Sequence, residues 1–113
     1  MDAVDWHVEL VREGRLTPEI TDAVLDAHGG RGRRAMQAVA EGRVKRYRDF
    51  TVVVGRSDEY VVEDGSCTCR DYRYNLGGEG KCQHVLAVEI AEAVDEVDEH
   101  DMWYGEVRDF LDG

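Results

Sequence analysis

Apolar residues along this chain follow two different periods, and the change falls near residue 44. Between residues 3 and 13, Trp6 and Leu10 are four apart, with Val4, Val8 and Val11 beside them, which predicts a short amphipathic helix. Thr17-Pro18-Glu19 reads as a helix start, with Thr17 as N-cap, Pro18 in the first helical position and Glu19 in the electropositive first turn. That helix is expected to run to about Ala27, to bury Ile20, Val24 and Ala23, and to stop at Gly29-Gly30. A third helix is expected over Arg33–Glu41, with Ala35, Met36, Val39 and Ala40 as its apolar stripe and Gly42 closing it.

From Val44 the period shifts toward two. Thr51–Val54 and Tyr60–Val62 are β-branched and aromatic runs, separated by the turn-forming Gly55-Arg56-Ser57-Asp58. Residues 44–63 are therefore expected to form an antiparallel hairpin whose second strand runs on into Asp64-Gly65-Ser66. Arg70–Lys81 is expected to be a loop, with Gly77, Gly78 and Gly80 near its end. The clearest helix of the chain follows, over Gln83–Glu99, with Val85, Leu86, Val88, Ile90, Ala93, Val94 and Val97 apolar and Glu89, Glu92, Asp95, Glu96, Asp98 and Glu99 wet. A tail carrying Met102, Trp103, Val107, Phe110 and Leu111 is expected to fold back through Trp103 and Phe110 as one more short helix. The pattern is α+β: N-terminal helices, then a hairpin packed on a helix.

Length and composition set limits. At 113 residues the chain is expected to be one compact domain with a modest core, divided into a helical segment 1–42, a module 43–99 and an acidic tail 100–113. No apolar stretch approaches the roughly 18 residues that span a bilayer. The acidic start, Met1-Asp2-Ala3-Val4-Asp5, lacks the charged-then-apolar pattern of a leader, so a soluble, cytoplasmic protein without membrane association is expected. Net charge is −11, and of the fourteen basic residues only Lys45 and Lys81 are lysine. This acidic, lysine-poor composition resembles that of proteins from salt-loving archaea, and a halophilic origin is the expectation it raises.

The three cysteines all fall within sixteen residues, an odd number that suits reduced metal ligands better than a disulfide framework. Cys67 and Cys69 form a C-x-C pair, and Cys82 and His84 a C-x-H pair twelve residues on. Three thiolates and an imidazole are the donors of a closed tetrahedral zinc site, and soft sulfur favours zinc over magnesium, calcium or manganese. Four protein ligands leave no open position, so one structural zinc rather than a catalytic one is expected. A redox C-x-C pair would leave Cys82 and His84 without a role. Residues two apart inside a helix point about 200° from each other, which places Cys82 just before the first turn of the last helix. Zinc with three thiolates carries one net negative charge; Arg70, Arg73 and Lys81 are candidates to offset it, and backbone N–H groups of the turn are candidates to bond the sulfurs.

The C-x-C…C-x-H order, after a hairpin and running into a helix, resembles the SWIM-type zinc finger. The ligands match at Cys67, Cys69, Cys82 and His84, and Tyr60-Val61-Val62 and His84-Val85-Leu86-Ala87 also fit. The resemblance covers residues 43–97. It implies a ββα zinc-binding module associated with DNA or protein binding, and says nothing of residues 1–42 or the tail.

Charge is unevenly placed. Arg31, Arg33, Arg34, Arg43, Lys45, Arg46 and Arg48 fall in one window with only Glu41 opposing them, whereas residues 85–113 hold ten acidic residues against Arg108 alone. The strip, with Tyr47 in it, makes Arg33, Arg34, Arg43, Lys45, Arg46 and Arg48 candidate contacts to DNA or RNA. A net charge of −11 opposes attraction to a polyanion, and molar salt would cut the Debye length to about 3 Å. The strip could equally pair with the chain's own acidic helix or tail. A protein partner, or a second copy of the chain, meeting the N-terminal helices or Trp103 and Phe110 is the other expected role. No paired carboxylates, nucleophile–base set or phosphate loop stands out: Gly77-Gly78-Glu79-Gly80 is short and follows no strand. No catalysis and no small-molecule substrate are expected. His7, His28 and His100 have no partner at ligand spacing and read as surface or helix-end residues; Trp6 and Trp103 read as core or interface.

Overall fold

The computed structural model describes residues 5–56, 58–76 and 80–106. Three helices, α1 (Trp6–Glu13), α2 (Pro18–His28) and α3 (Gly30–Ala40), precede the strands β1 (Val44–Arg46), β2 (Thr51–Val54), β3 (Glu59–Glu63) and β4 (Ser66–Cys67). A π-helical turn over Asp71–Asn75, helix α4 (Gln83–Ala93) and strand β5 (Asp98–Glu99) complete the described part. The fold is α+β, as the pattern predicts.

Local chemistry sets the helix ends. Asp5 caps α1 by accepting from the N–H groups of His7 and Val8, and Thr17 caps α2 by accepting from Ile20 N–H at 3.3 Å. Trp6 and Leu10 face the core while Val8 and Val11 are exposed; of the two apolar stripes on α1, the one carrying the larger side chains is buried. Gly29, at φ +58°, ends α2 and starts α3, so α3 begins three residues earlier than its apolar spacing predicts. The α2–α3 contact is close because Gly32 has no side chain: a Cβ there would sit 2.9 Å from Val24 Cγ1 and 3.0 Å from the Val24 carbonyl oxygen. Consequently Gly32 and Ala38 join Ala35 and Val39 on the buried face, and Ala40 is exposed.

The expected two-strand hairpin is the centre of a five-stranded sheet of order β4-β3-β2-β1-β5. β2 and β3 pair antiparallel with Val53 opposite Tyr60, and Val44 of β1 pairs with Val53 on the other side. Asp64 and Gly65, at φ +48° and +81°, make the two-residue turn that folds β4 back on β3 and sets Cys67 opposite Val62. β5 pairs parallel to β1, with Asp98 beside Lys45 and Glu99 beside Arg46. Cross-strand opposite charges favour that register.

Helix α4 fills the centre of the molecule. His84, Val85, Leu86, Ala87, Val88, Ile90 and Ala91 are all buried, because α1 and α3 cover one side of the helix and the sheet the other. It ends at Ala93 rather than at Glu99. Asp95 takes φ +57°, the Glu96 N–H bonds the Ala91 carbonyl at 2.8 Å, and the Asp95 N–H reaches Glu92. This is the glycine-type helix stop with aspartate in the left-handed position, and it frees residues 98–99 for the sheet. The tail meets the body through Tyr104, not Trp103. Tyr104 is buried, its N–H bonds the Asp49 carboxylate at 2.6 Å and its ring packs on Tyr47 and Phe50, whereas Trp103 is exposed. Val4, Val107, Phe110, Leu111 and the glycines at 77 and 78 lie outside the described residues.

Candidate metal centre

The two ligand pairs come from two different elements, the edge strand β4 and the helix α4. Cys67 ends β4, Cys69 follows two residues later, and Cys82 and His84 open α4. Cys82 is the N-cap, with extended backbone at φ −81° and ψ 173°, so it points back toward the sheet while His84 lies in the first turn. One sulfur from each cysteine and one imidazole nitrogen lie within 4.8 Å of one another, and all four residues are buried. His84 Nδ1 is 3.7 Å from Cys67 Sγ and 4.0 Å from Cys82 Sγ. A tetrahedron with Zn–S bonds near 2.3 Å has S···S edges of about 3.8 Å, so the cluster fits one zinc ion with little movement. Zinc bound here supplies a cross-link between β4 and α4, the sheet edge and the central helix.

A surrounding set of groups fixes these ligands. The Cys69 N–H bonds Cys67 Sγ and the Tyr72 N–H bonds Cys69 Sγ, each at 3.4 Å. The Tyr60 ring stacks on His84 with centroids 4.2 Å apart and planes 23° apart. The far nitrogen of His84, Nε2, lies 3.3 Å from the Gln83 amide, and Arg34 Nε donates to the oxygen of that same amide. Arg31 holds Asp71 with two hydrogen bonds, at 2.7 and 2.8 Å, and Asn75 adds a third at 2.9 Å, pinning the loop after Cys69 to α3. Such outer partners orient metal ligands.

The sulfurs hold their protons unevenly. Hydrogen bonding from Cys67, with a further bond from His84, lowers the Cys82 thiol below its ordinary value despite its burial. Its partner Cys67 is pushed up, first by the hydrogen bond it gives Cys82 and then by burial, and burial also raises Cys69. Arg31 is raised mainly by Asp71, and the charge of Cys82 and Cys69 adds to it. Of the three cations suggested by sequence position, Lys81 instead pairs with Glu89 at 3.0 Å, Arg73 lies over the Tyr74 ring and Arg70 is exposed.

The basic strip divides. Arg43 pairs with Glu41 at 2.9 Å and also donates to the Val54 carbonyl. Lys45 pairs with Asp98 at 2.8 Å, Arg46 with Glu92 at 2.8 Å and Glu99 at 3.9 Å, and Arg48 with Asp101 at 2.6 Å. Arg34 is turned to Gln83, and Arg33 is exposed with no ion pair among the described residues. The histidines read as isolated also have partners. His28 accepts from Trp6 Nε1 at 3.2 Å, and His100 bonds Asp98 at 3.0 Å and stacks on Tyr47.

Tyr60, Asp71 and Gln83 carry parts of this site that ligand spacing does not reveal. Tyr60 had a signal, since strand alternation puts it on the same face as Val62, the partner of Cys67. Asp71 and Gln83 had none, because their partners Arg31 and Arg34 are forty or more positions away.

A small α+β domain cross-linked by a buried Cys₃His zinc site is a structural zinc finger. The SWIM zinc finger family matches residues 50–93, which contain all four ligands. A protein of Archaeoglobus fulgidus described as "Uncharacterized protein" is 44% identical over 93 residues, covering 82% of this chain and 81% of that protein. Residues 50–93 of the chain are a SWIM zinc finger. No solved structure matches it. No helix among the described residues is long and apolar enough to cross a membrane.

Proposed function

We propose that this chain is a non-catalytic binding module whose partner is another protein, with zinc holding the binding surface in shape. One observation carries the choice of partner: Lys45, Arg46 and Arg48, the densest part of the basic strip, are each in an ion pair with a carboxylate of the same chain, and Arg43 gives Glu41 one of its three nitrogens. Phosphates would have to displace those carboxylates, in a chain that already carries a net charge of −11. The absence of catalysis is supported by the four-ligand zinc set, which leaves no position for a substrate or an activated water.

Titration with duplex DNA and single-stranded RNA at several salt concentrations tests the reading. It holds if neither binds, or if weak binding is the same in a variant with Arg43, Lys45, Arg46 and Arg48 changed to Gln. Tight, salt-dependent binding that this variant abolishes overturns it.

A further inference from the structure

A groove of about 370 Å³ lies between α3, the β2–β3 turn and the start of α4, with His84 in its lining. Arg34, Arg43 and Arg56 line it, Gln37 and Gln83 add neutral hydrogen-bonding groups, and Glu41 is its single carboxylate. Three arginines against one glutamate leave two net positive charges in one concavity of an otherwise strongly acidic chain.

From this groove we infer a site that takes a short acidic segment of a protein partner, its carboxylates bound by Arg56, Arg43 and Arg34. The inference rests on the protein-binding reading above and adds the partner's chemistry. Arginine suits the task because its planar fork matches a carboxylate and stays charged at any working pH. Arg56 is exposed in the turn and has no ion pair among the described residues. Arg43 is held in place by Glu41 and the Val54 carbonyl through Nε and one terminal nitrogen, and its other terminal nitrogen is uncommitted among the described residues. Arg34 is fixed through Gln83, so its guanidinium is positioned before a ligand arrives.

The groove suits a peptide better than a nucleic acid. A phosphate backbone presents charge continuously and needs a track of cations, but Glu41 lies in the groove and Asp58 and Glu59 are exposed near the turn. Beyond Arg43, the strip toward Arg48 is occupied by Asp98, Glu92 and Asp101. A peptide carries charge only on its side chains, so one or two carboxylates can meet the arginines while neutral backbone crosses the acidic rim.

The test uses the intact zinc-loaded chain and a short fluorescent peptide of Glu and Gly, with a Gln-and-Gly counterpart, a duplex DNA and inorganic phosphate as comparators. Anisotropy reports binding of the labelled probes; amide shifts of Gln83 and His84 report phosphate and locate the site. The expected result is binding of the Glu peptide over the Gln peptide, weakened about tenfold by Arg56→Gln, as befits the loss of one charge-assisted contact. Arg43→Gln is expected to weaken it similarly; Arg56→Gln is the deciding variant because its exposed side chain can change without disturbing the fold. Equal binding of the two peptides, or no effect of Arg56→Gln, overturns the site. A protein partner retained by both the wild type and Arg56→Gln removes the groove assignment but leaves the protein-binding reading standing. Duplex DNA or free phosphate binding more tightly than the peptide, and lost in Arg56→Gln, overturns the acidic-peptide assignment; for the duplex it overturns the protein-binding reading as well.

Discussion

Arg31 of α3 grips Asp71 with two hydrogen bonds, at 2.7 and 2.8 Å, across forty residues of sequence. Asp71 stands two residues after Cys69, so this pair attaches the zinc loop to the N-terminal helices. The zinc finger and the helices before it are therefore joined outside the core, here and again where Arg34 donates to Gln83. Loss of the clamp through Arg31→Gln or Asp71→Asn should loosen the loop that presents Cys69. Outer partners of metal ligands typically contribute about 10–100-fold in affinity, and a drop in that range is expected. Competition with a chromogenic zinc chelator measures it; an unchanged zinc affinity in both variants contradicts the role.

Tyr60 should matter to the same site through its ring. Its face lies on His84 at 4.2 Å. Tyr60→Phe keeps the stack and is expected to behave as wild type, whereas Tyr60→Ala should lower both thermal stability and zinc affinity. Parallel melting and chelator titrations of the two variants check this. Equal losses in both would assign the effect to the hydroxyl instead.

Leu86, fully buried on the central helix, is among the largest enclosed side chains of the core. Leu86→Ala should cost about 2–5 kcal/mol, the range for truncating a buried leucine. Urea unfolding of the zinc-loaded protein reads the loss as a shifted midpoint; a cost below about 1 kcal/mol would mean the helix is less enclosed than described.

His28 gives a pH dependence with a definite sign. Burial lowers its pKa from 6.5, Lys81 and Arg31 lower it further, and Glu89 partly opposes them. Its Nε2 must be unprotonated to accept from Trp6. With the folded value below the unfolded one, the contribution is complete above about pH 6.5 and is lost as pH falls through the folded value. The stability difference between wild type and His28→Gln should therefore change between pH 7 and pH 5, with Trp6 fluorescence following it. A difference flat across that range contradicts the coupling.

Lys45 and Asp98 should form an interchangeable pair. Each single change, Lys45→Gln or Asp98→Asn, is expected to loosen β5 and speed amide exchange at residues 98–100. Exchanging the two residues, Lys45→Asp with Asp98→Lys, should restore protection. Failure of the exchange to rescue would mean that the Lys45–Asp98 pair does not hold the strand, leaving its backbone pairing and the Arg46–Glu99 and His100–Asp98 contacts.

What sequence could and could not disclose follows from the range of each interaction. The Thr17-Pro18 start, the β2–β3 hairpin and the four ligands are local patterns, visible within a few residues. The second strand is expected to run on into Asp64-Gly65-Ser66, but Asp64 and Gly65 turn the chain back, and the two-residue strand they lead into is too short to show a period. The end of α4 was hidden because aspartate rather than glycine takes the left-handed position at 95, and acidic residues continue a helical pattern past it. β5 owes its place to Lys45 and Arg46, more than fifty residues earlier, and no local pattern predicts such a pairing. The basic strip was legible as charge; whether that charge was free or answered depended on where Glu92, Asp98 and Asp101 came to lie.

The central claim is that one zinc ion, held by Cys67, Cys69, Cys82 and His84, ties the sheet edge to the central helix and so holds the fold. The direct measurement is zinc content per chain followed by chelation under circular dichroism and amide NMR. The account predicts one zinc per chain, and on its removal the loss of dispersed amide signals from β3, β4 and α4 with a much lower melting temperature. A metal content well below one in reduced, zinc-supplied protein, or an unchanged spectrum and melting temperature after complete removal, would contradict it.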